Sequence, residues 1–318
     1  MHAVSVPVLA IAGFLGAGKT TLLNHLLRNS RGVRIGALVN DFGAVNIDAM
    51  LVAGQVDAMA SLSNGCICCA VDASEAAEML GKLAAVRPAL DLIVVEASGV
   101  AEPQVLARTI ATAEDDRFHY AGLVLVVDAV QPADLGHGVA VADLVVLNKI
   151  SEAPDDDVVA ARIRELNPRV PVLPTDFARI DPELLIDPPV ARKPQAQLSF
   201  DELLHDHDDH HDHHHPEYQS VQFCTGDTVN PRHFLQFLQG RPQGLYRAKG
   251  FVDFGSNGRF LVQLVGSSLR FQRSRGRGTE LVLIGTRMDV AALQAGLADC
   301  TREPADDNAM LGLGKYIV

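Results

Sequence analysis

Gly13-Phe14-Leu15-Gly16-Ala17-Gly18-Lys19-Thr20 is the stretch whose reading decides the fold. It fulfils the pattern G-x-x-x-x-G-K-[ST], in which glycines turn backbone N–H groups inward around phosphates. An apolar run, Val4–Ala12, precedes it and a helical pattern, Thr20–Asn29, follows. That strand–loop–helix order also places the positive end of a helix dipole against the phosphates. Gly13, Gly16, Ala17 and Gly18 are therefore expected to line the phosphates with Thr21. Lys19 is expected to reach the β- and γ-phosphates, and the Thr20 hydroxyl to bind Mg²⁺.

Outward from this loop the chain keeps alternating. Val33–Asn40, Leu90–Glu96, Ala121–Asp128, Leu144–Asn148 and Val170–Pro174 read as buried strands, and Val56–Leu62 is strand-like. Helical patterns at Ser74–Val86, Pro103–Ala113 and Asp155–Leu166 fill the gaps. Apolar strands separated by helices predict an α/β fold, a P-loop NTPase with a mostly parallel sheet covered on both faces. A composition break follows at Asp187-Pro188-Pro189. Beyond Pro216 come a strand (Gln219–Cys224), a helix (Pro231–Gln239), three or four strands between Leu245 and Gly285, and a helix (Asp289–Asp299). These predict a smaller α+β domain. The division is residues 1–186, a His/Asp-rich linker over 187–216, and 217–318.

Three strand ends carry further candidates. Glu96 closes one strand and is expected to serve the Mg²⁺ shell or a water, while the N–H of Gly99 faces the γ-phosphate. Asp128 closes another and reads as a turn or cap residue. Leu147-Asn148-Lys149 resembles the base-reading N-K-x-D motif, whose Asp accepts from guanine N1–H and N2–H₂. Here the fourth position is Ser151, a poorer acceptor, with Glu152 one residue beyond as a compensating acid.

Cys66-Ile67-Cys68-Cys69 places three of the five cysteines within four positions. That spacing does not suit a disulfide framework. Three thiolates converge readily on a soft or borderline ion such as zinc or Cu(I) and leave a tetrahedral site open. Buried structural thiols and a redox pair are the competing readings. Cys224 and Cys300 fall on apolar patterns and are expected in the core. Between them and the first half, His205, His207, His210, His211, His213, His214 and His215 alternate with aspartates. Such a tract collects divalent ions loosely, or is an inert linker. His25 and His119 are isolated, with core or surface roles expected.

A net charge of −12 disfavours phosphate backbones, so no nucleic-acid partner is expected. Arg270, Arg273, Arg275 and Arg277 form one basic cluster and read as a solvated hairpin loop. No apolar run approaches the roughly 18 residues that cross a bilayer, so no membrane partner is expected. With no signal-like N-terminus, the expected location is cytoplasmic.

With these residues in hand, the chain resembles the CobW-type metal-chaperone GTPases. The resemblance rests on residues 13–23, Asn40-Asp41-Phe42-Gly43, Gly65-Cys66-Ile67-Cys68-Cys69, Glu96-Ala97-Ser98-Gly99 with Pro103, Asn148-Lys149, Leu166-Asn167-Pro168 and Tyr246-Arg247-Ala248-Lys249-Gly250. It implies GTP hydrolysis with Mg²⁺, coupled to delivery of Zn²⁺ or Co²⁺ to a metal-receiving client protein. It also implies that Cys66, Cys68 and Cys69 hold the metal. Asp41 stands where that family usually has Glu, serving Mg²⁺ or the transferred metal, and Ser151 stands where it usually has Asp. A small-molecule kinase and a metal buffer remain alternatives, and a homodimer is a candidate assembly.

Overall fold

The computed structural model describes residues 5–30, 32–40, 58–62, 73–99, 102–132, 135–153, 156–186, 218–240, 242–306 and 308–317. In the first half, β1 (Val6–Gly13), β2 (Ile35–Asn40), β3 (Ala58–Leu62), β4 (Leu92–Glu96), β5 (Phe118–Asp128), β6 (Leu144–Asn148) and β7 (Val172–Thr175) form one sheet. Its order is β3-β2-β4-β1-β5-β6-β7, and every pairing is parallel.

Strands buried on both faces need apolar residues in succession, and β4 and β6 are buried throughout. Alternate side chains feed two cores. Val8, Ala10, Ile93 and Val95 meet Leu80 and Leu83 of α2 (Ala73–Ala84), Leu106 and Ile110 of α3 (Pro103–Ala111), Val139 of α4 (Leu135–Val141) and Ile163 of α5 (Asp156–Leu166). Leu9, Ile11 and Val94 point the other way, onto Leu22, Leu23 and Leu26 of α1 (Lys19–Arg28) and onto Ala178, Ile180 and Leu184.

The second half is antiparallel. β8 (Tyr218–Thr225), β9 (Leu245–Asp253), β10 (Arg259–Val265), β11 (Ser268–Ser274) and β12 (Thr279–Thr286) take the order β11-β10-β9-β12-β8. Strict alternation of burial along β10 turns one face toward α6 (Pro231–Gly240) and α7 (Val290–Asp299). Phe234, Phe254, Phe260 and Phe271 meet there with ring centroids 5.6–6.5 Å apart. Such aromatic pairs contribute beyond their buried area.

The halves also touch. Ser267 donates from its N–H and its hydroxyl to Asp143 O and Oδ1, both at 2.8 Å. Arg247, buried on β9, donates through Nη1 to Glu183 O and to Ile186 O. Desolvation lowers its pKa to about 10, opposed by Glu183 and Asp181.

Two expectations need correction. Cys224 is exposed, because it lies on the outward face of β8, an edge strand; Cys300 is buried as expected. Arg270 belongs to β11 rather than to a loop, and burial pushes its pKa down to about 10. Arg273, Arg275 and Arg277 are exposed. Among the described residues, no helix is long and apolar enough to cross a membrane.

Candidate nucleotide site

Parallel strands deliver all their C-terminal ends to one edge, and the site is built there. β1 runs into the loop at Gly13, whose φ is +146°. A Cβ on Gly13 would lie 2.3 Å from Val126 O, a backbone atom of the neighbouring β5. Gly16 and Gly18 have φ of +77° and +110°, a region that side chains rarely tolerate. Gly18 is the N-cap of α1 and supplies no side-chain cap, so first-turn N–H groups of α1 face the loop. Ala17 is buried inside the loop. Positive-φ glycines leading into a helix start are the elements of an anion cradle, with the Ala17 N–H donating to Phe14 O at 3.2 Å inside the loop.

Lys19, the first helical residue, is buried and donates from Nζ to Phe14 O at 3.1 Å, so its ammonium is folded back over the loop. Thr20 donates from Oγ1 to Glu96 Oε1 at 2.6 Å. Glu96 is buried at the end of β4. A hydroxyl and a carboxylate in contact are hard oxygen donors, a pair suited to Mg²⁺. Thr21 is exposed on α1. Gly99 closes the cradle: a Cβ there would stand 2.8 Å from Leu15 Cα and 2.9 Å from Leu15 N. The glycine lets the segment after β4 lie flat against the phosphate loop.

Asn148 ends β6 and is buried. Its Nδ2 donates to Ala17 O at 2.9 Å, and its Oδ1 accepts from Ala178 N at 2.8 Å. One amide thus ties the phosphate loop to the turn after β7. Lys149 takes a left-handed conformation, φ 64°, and its Nζ pairs with Asp128 Oδ2 at 2.5 Å. Asp128 Oδ1 also accepts from Val130 N and Gln131 N, as expected of a turn residue. Burial raises its pKa, but the Lys149 bond and the two amides outweigh that and hold it below the ordinary range. Ser151 donates from N and from Oγ to Asp176 Oδ1, at 3.0 and 2.9 Å. Glu152 is exposed, so the carboxylate meeting Ser151 is Asp176, 25 residues along the chain.

Lys19, Thr20, Glu96, Gly13, Gly16, Ala17, Gly18, Gly99, Asn148 and Lys149 therefore gather at one sheet edge. Asp41, Cys66, Cys68, Cys69, His207, His210, His211, His213 and His214 lie outside the described residues. Among the described residues, His25 contacts Ile180 O at 2.6 Å and His119 contacts Ser5 Oγ at 2.6 Å, so both have structural partners.

The loop, the Thr20–Glu96 pair and the strand-end Asn148-Lys149 define a P-loop nucleotide-binding protein with an antiparallel C-terminal domain. Sequence comparison narrows the class. The CobW/HypB/UreG nucleotide-binding domain matches residues 7–174, and the cobalamin synthesis protein cobW C-terminal domain matches residues 218–301. The chain belongs to the CobW/HypB/UreG family. It is 31% identical to a zinc chaperone CobW of a Sinorhizobium species, over 92% of this chain and 96% of that one. It is also 31% identical to the zinc chaperone YjiA of Escherichia coli K12, over 57% of this chain and 61% of the relative. The crystal structure of the Zn(II)-bound E. coli YjiA GTPase covers 93% of this chain and 99% of its own, with 22% identity and a TM-score of 0.44.

Proposed function

We propose that this chain is a GTP-hydrolysing metallochaperone that carries zinc, with cobalt as the other candidate cargo, to a client protein in the cytoplasm. The reading gives residues 1–186 to the nucleotide, 187–216 to a histidine-rich linker and 217–318 to client recognition, with a homodimer as its candidate assembly. Lys19 and the loop amides offset charge on the β- and γ-phosphates. Thr20 and Glu96 hold Mg²⁺, which when bound adds charge neutralisation at the phosphate oxygens. The Gly99 N–H meets the γ-phosphate, and Asn148 and Lys149 frame the base. Cys66, Cys68 and Cys69 bind the cargo, Asp41 serves as a further ligand, and His207, His210, His211, His213 and His214 gather ions at lower affinity.

One observation carries the coupling. β1, β4, β2 and β3 are parallel and adjacent, so Gly13, Glu96, Asn40 and Leu62 end at the same edge of the sheet. Asp41 follows Asn40 directly, and Cys66 follows Leu62 by four residues. Four residues span at most ~14 Å, and three strand spacings from β3 to β1 add ~14 Å. The reading takes the short chain beyond Leu62 as the segment that brings Cys66, Cys68 and Cys69 toward the phosphate loop, and the shared sheet edge supports it. Loops ordered by a γ-phosphate and released on hydrolysis are an established switch. The zinc-chaperone relatives support the choice of cargo.

The test is a zinc titration of the full chain with and without GTP·Mg²⁺, beside a Cys66→Ser/Cys68→Ser/Cys69→Ser variant. The reading requires a tight site that the variant lacks and whose affinity moves when GTP binds. Identical zinc binding by the two proteins sinks it.

A further inference from the structure

We infer that Asp176, reached through Ser151, supplies the carboxylate that reads the guanine edge, replacing the acid missing from the fourth position of Asn148-Lys149-Ile150-Ser151. The inference rests on the GTPase reading and adds to it the residue that selects the base.

Ser151 occupies the position from which the motif's carboxylate would project. Ser151 is exposed, and its N–H and its hydroxyl both grip one oxygen of Asp176, at 3.0 and 2.9 Å. A carboxylate is thereby held one hydrogen bond from where the motif needs one. The turn bearing it is fixed from both sides. Thr175 pairs in register with Asn148 across β6 and β7, and Ala178 N donates to Asn148 Oδ1. Phe177 and Ala178 adopt φ of 54° and 51°, which bends the chain back toward β6 immediately after Asp176. Left-handed conformations at two successive side-chain-bearing residues cost free energy and persist where surrounding contacts impose them.

The acceptor count fits the ligand. A carboxylate offers about four lone-pair sites, and Ser151 occupies two of them, both on Oδ1. Among the described residues, none donates to Oδ2. Guanine presents two donors on one edge, N1–H and N2–H₂, matching what remains. Adenine presents a bare N1 lone pair there, which a carboxylate repels, so the same group favours one base and disfavours the other. The neighbouring acids are poorer candidates: Asp128 is taken by Lys149 and two amides, and Glu152 is exposed.

The experiment is calorimetric binding of GTP, ATP and xanthosine triphosphate, each with Mg²⁺, to the full chain, to Asp176→Asn and to Asp176→Asn/Ser151→Asp. Xanthine carries a carbonyl where guanine has its amino group, so an amide at position 176 whose Oδ1 still accepts from Ser151 donates to that carbonyl through Nδ2. The original chain should prefer GTP to ATP. Asp176→Asn should weaken GTP roughly 10- to 100-fold, the loss of hydrogen bonds to a charged acceptor, and bind xanthosine triphosphate more tightly than the original does. Adding Ser151→Asp should restore GTP. A gain of xanthine binding cannot come from misfolding. Asp176→Asn that keeps GTP affinity within about threefold, or loses it with no gain for xanthine, overturns the assignment while the GTPase reading stands. An original chain that binds no triphosphate overturns both.

Discussion

Replacing Asn148 with Ala removes one side chain from the join between two loops, and the consequence can be worked from its contacts. Asn148 is 2% exposed, Ala17 1% and Ala178 0%, so no solvent is at hand to replace the lost bonds. The two bonds, at 2.9 and 2.8 Å, each contribute about 1 kcal/mol net. Stranding the Ala178 N–H and the Ala17 carbonyl adds about 1–3 kcal/mol of desolvation cost for each group that finds no new partner. The expected loss runs from about 2 kcal/mol if both groups find new partners to about 8 kcal/mol if neither does, a large share of the ~5–15 kcal/mol by which a domain is stable. Urea unfolding followed by circular dichroism measures the total, and native-state hydrogen exchange at the Ala178 amide locates it. Asn148→Asp is the companion: it keeps the acceptor for Ala178 but turns a carboxylate toward Ala17 O, so Ala178 stays protected while stability still falls. If Asn148→Ala moves stability by less than about 0.5 kcal/mol and leaves Ala178 protected, the amide does not tie the two loops.

Two further outcomes follow from single side chains. Gly99→Ala forces a methyl to within 2.8 Å of the Leu15 backbone, which must move, so GTP affinity should fall at least roughly tenfold with the fold intact. Calorimetry showing unchanged affinity would contradict that packing. Lys249 is lowered to about 8, by burial first and by the Arg247 charge second. Its folded pKa lies below its ordinary value, so the unfolded chain binds more protons from pH 8 to about 10.5, and stability climbs across that window. Below pH 8 the penalty is present in full. Lys249→Met should raise the urea midpoint at pH 7.5 and flatten the climb toward pH 10, and a climb of undiminished size in the variant would exclude Lys249 as its source.

The phosphate half of the site was legible because its geometry is local. Glycine spacing, a preceding apolar strand and a following helix occupy one continuous stretch, and each strand-end acid announces itself by position. The base half was legible only in part. Ser151 is visible as a departure from the motif, but the carboxylate it holds arrives from the end of another strand, and no periodicity links residues 151 and 176. The sequence suggested Glu152 because it is the neighbour along the chain; the sheet makes Asp176 the neighbour in space. The helix α4 was hidden for another reason: Gly136 and Gly138 depress helix propensity, while Val139, buried in the core, holds the turn in place. Cys224 is exposed because an apolar pattern along β8 does not reveal which face of the strand is covered. Arg270 is the opposite case, its burial coming from packing that charge alone does not reveal.

The order of the sheet separates two tasks that one nucleotide would join. β1 lies between β4 and β5, and from it the remaining strands run outward in opposite directions, the arrangement at which α/β sheets bind ligands. On the β5-β6-β7 side stand Asp128, Asn148 and Asp176; on the β4-β2-β3 side stands Glu96, and in sequence Asp41 follows the end of β2 and Cys66 comes four residues after the end of β3. On the proposed reading, a base bound over β6 and β7 is separated from Glu96 on β4 by β1 and β5, whereas the γ-phosphate lies between Lys19 and Gly99, against β4. Base recognition should therefore set how tightly the nucleotide is held, and the terminal phosphate alone should set what the cysteines sense. Asp176→Asn loaded with xanthosine triphosphate ought to shift zinc affinity as GTP does in the original chain, while the diphosphates of either base leave it unshifted. Zinc affinity that followed the base rather than the phosphate count would break this division.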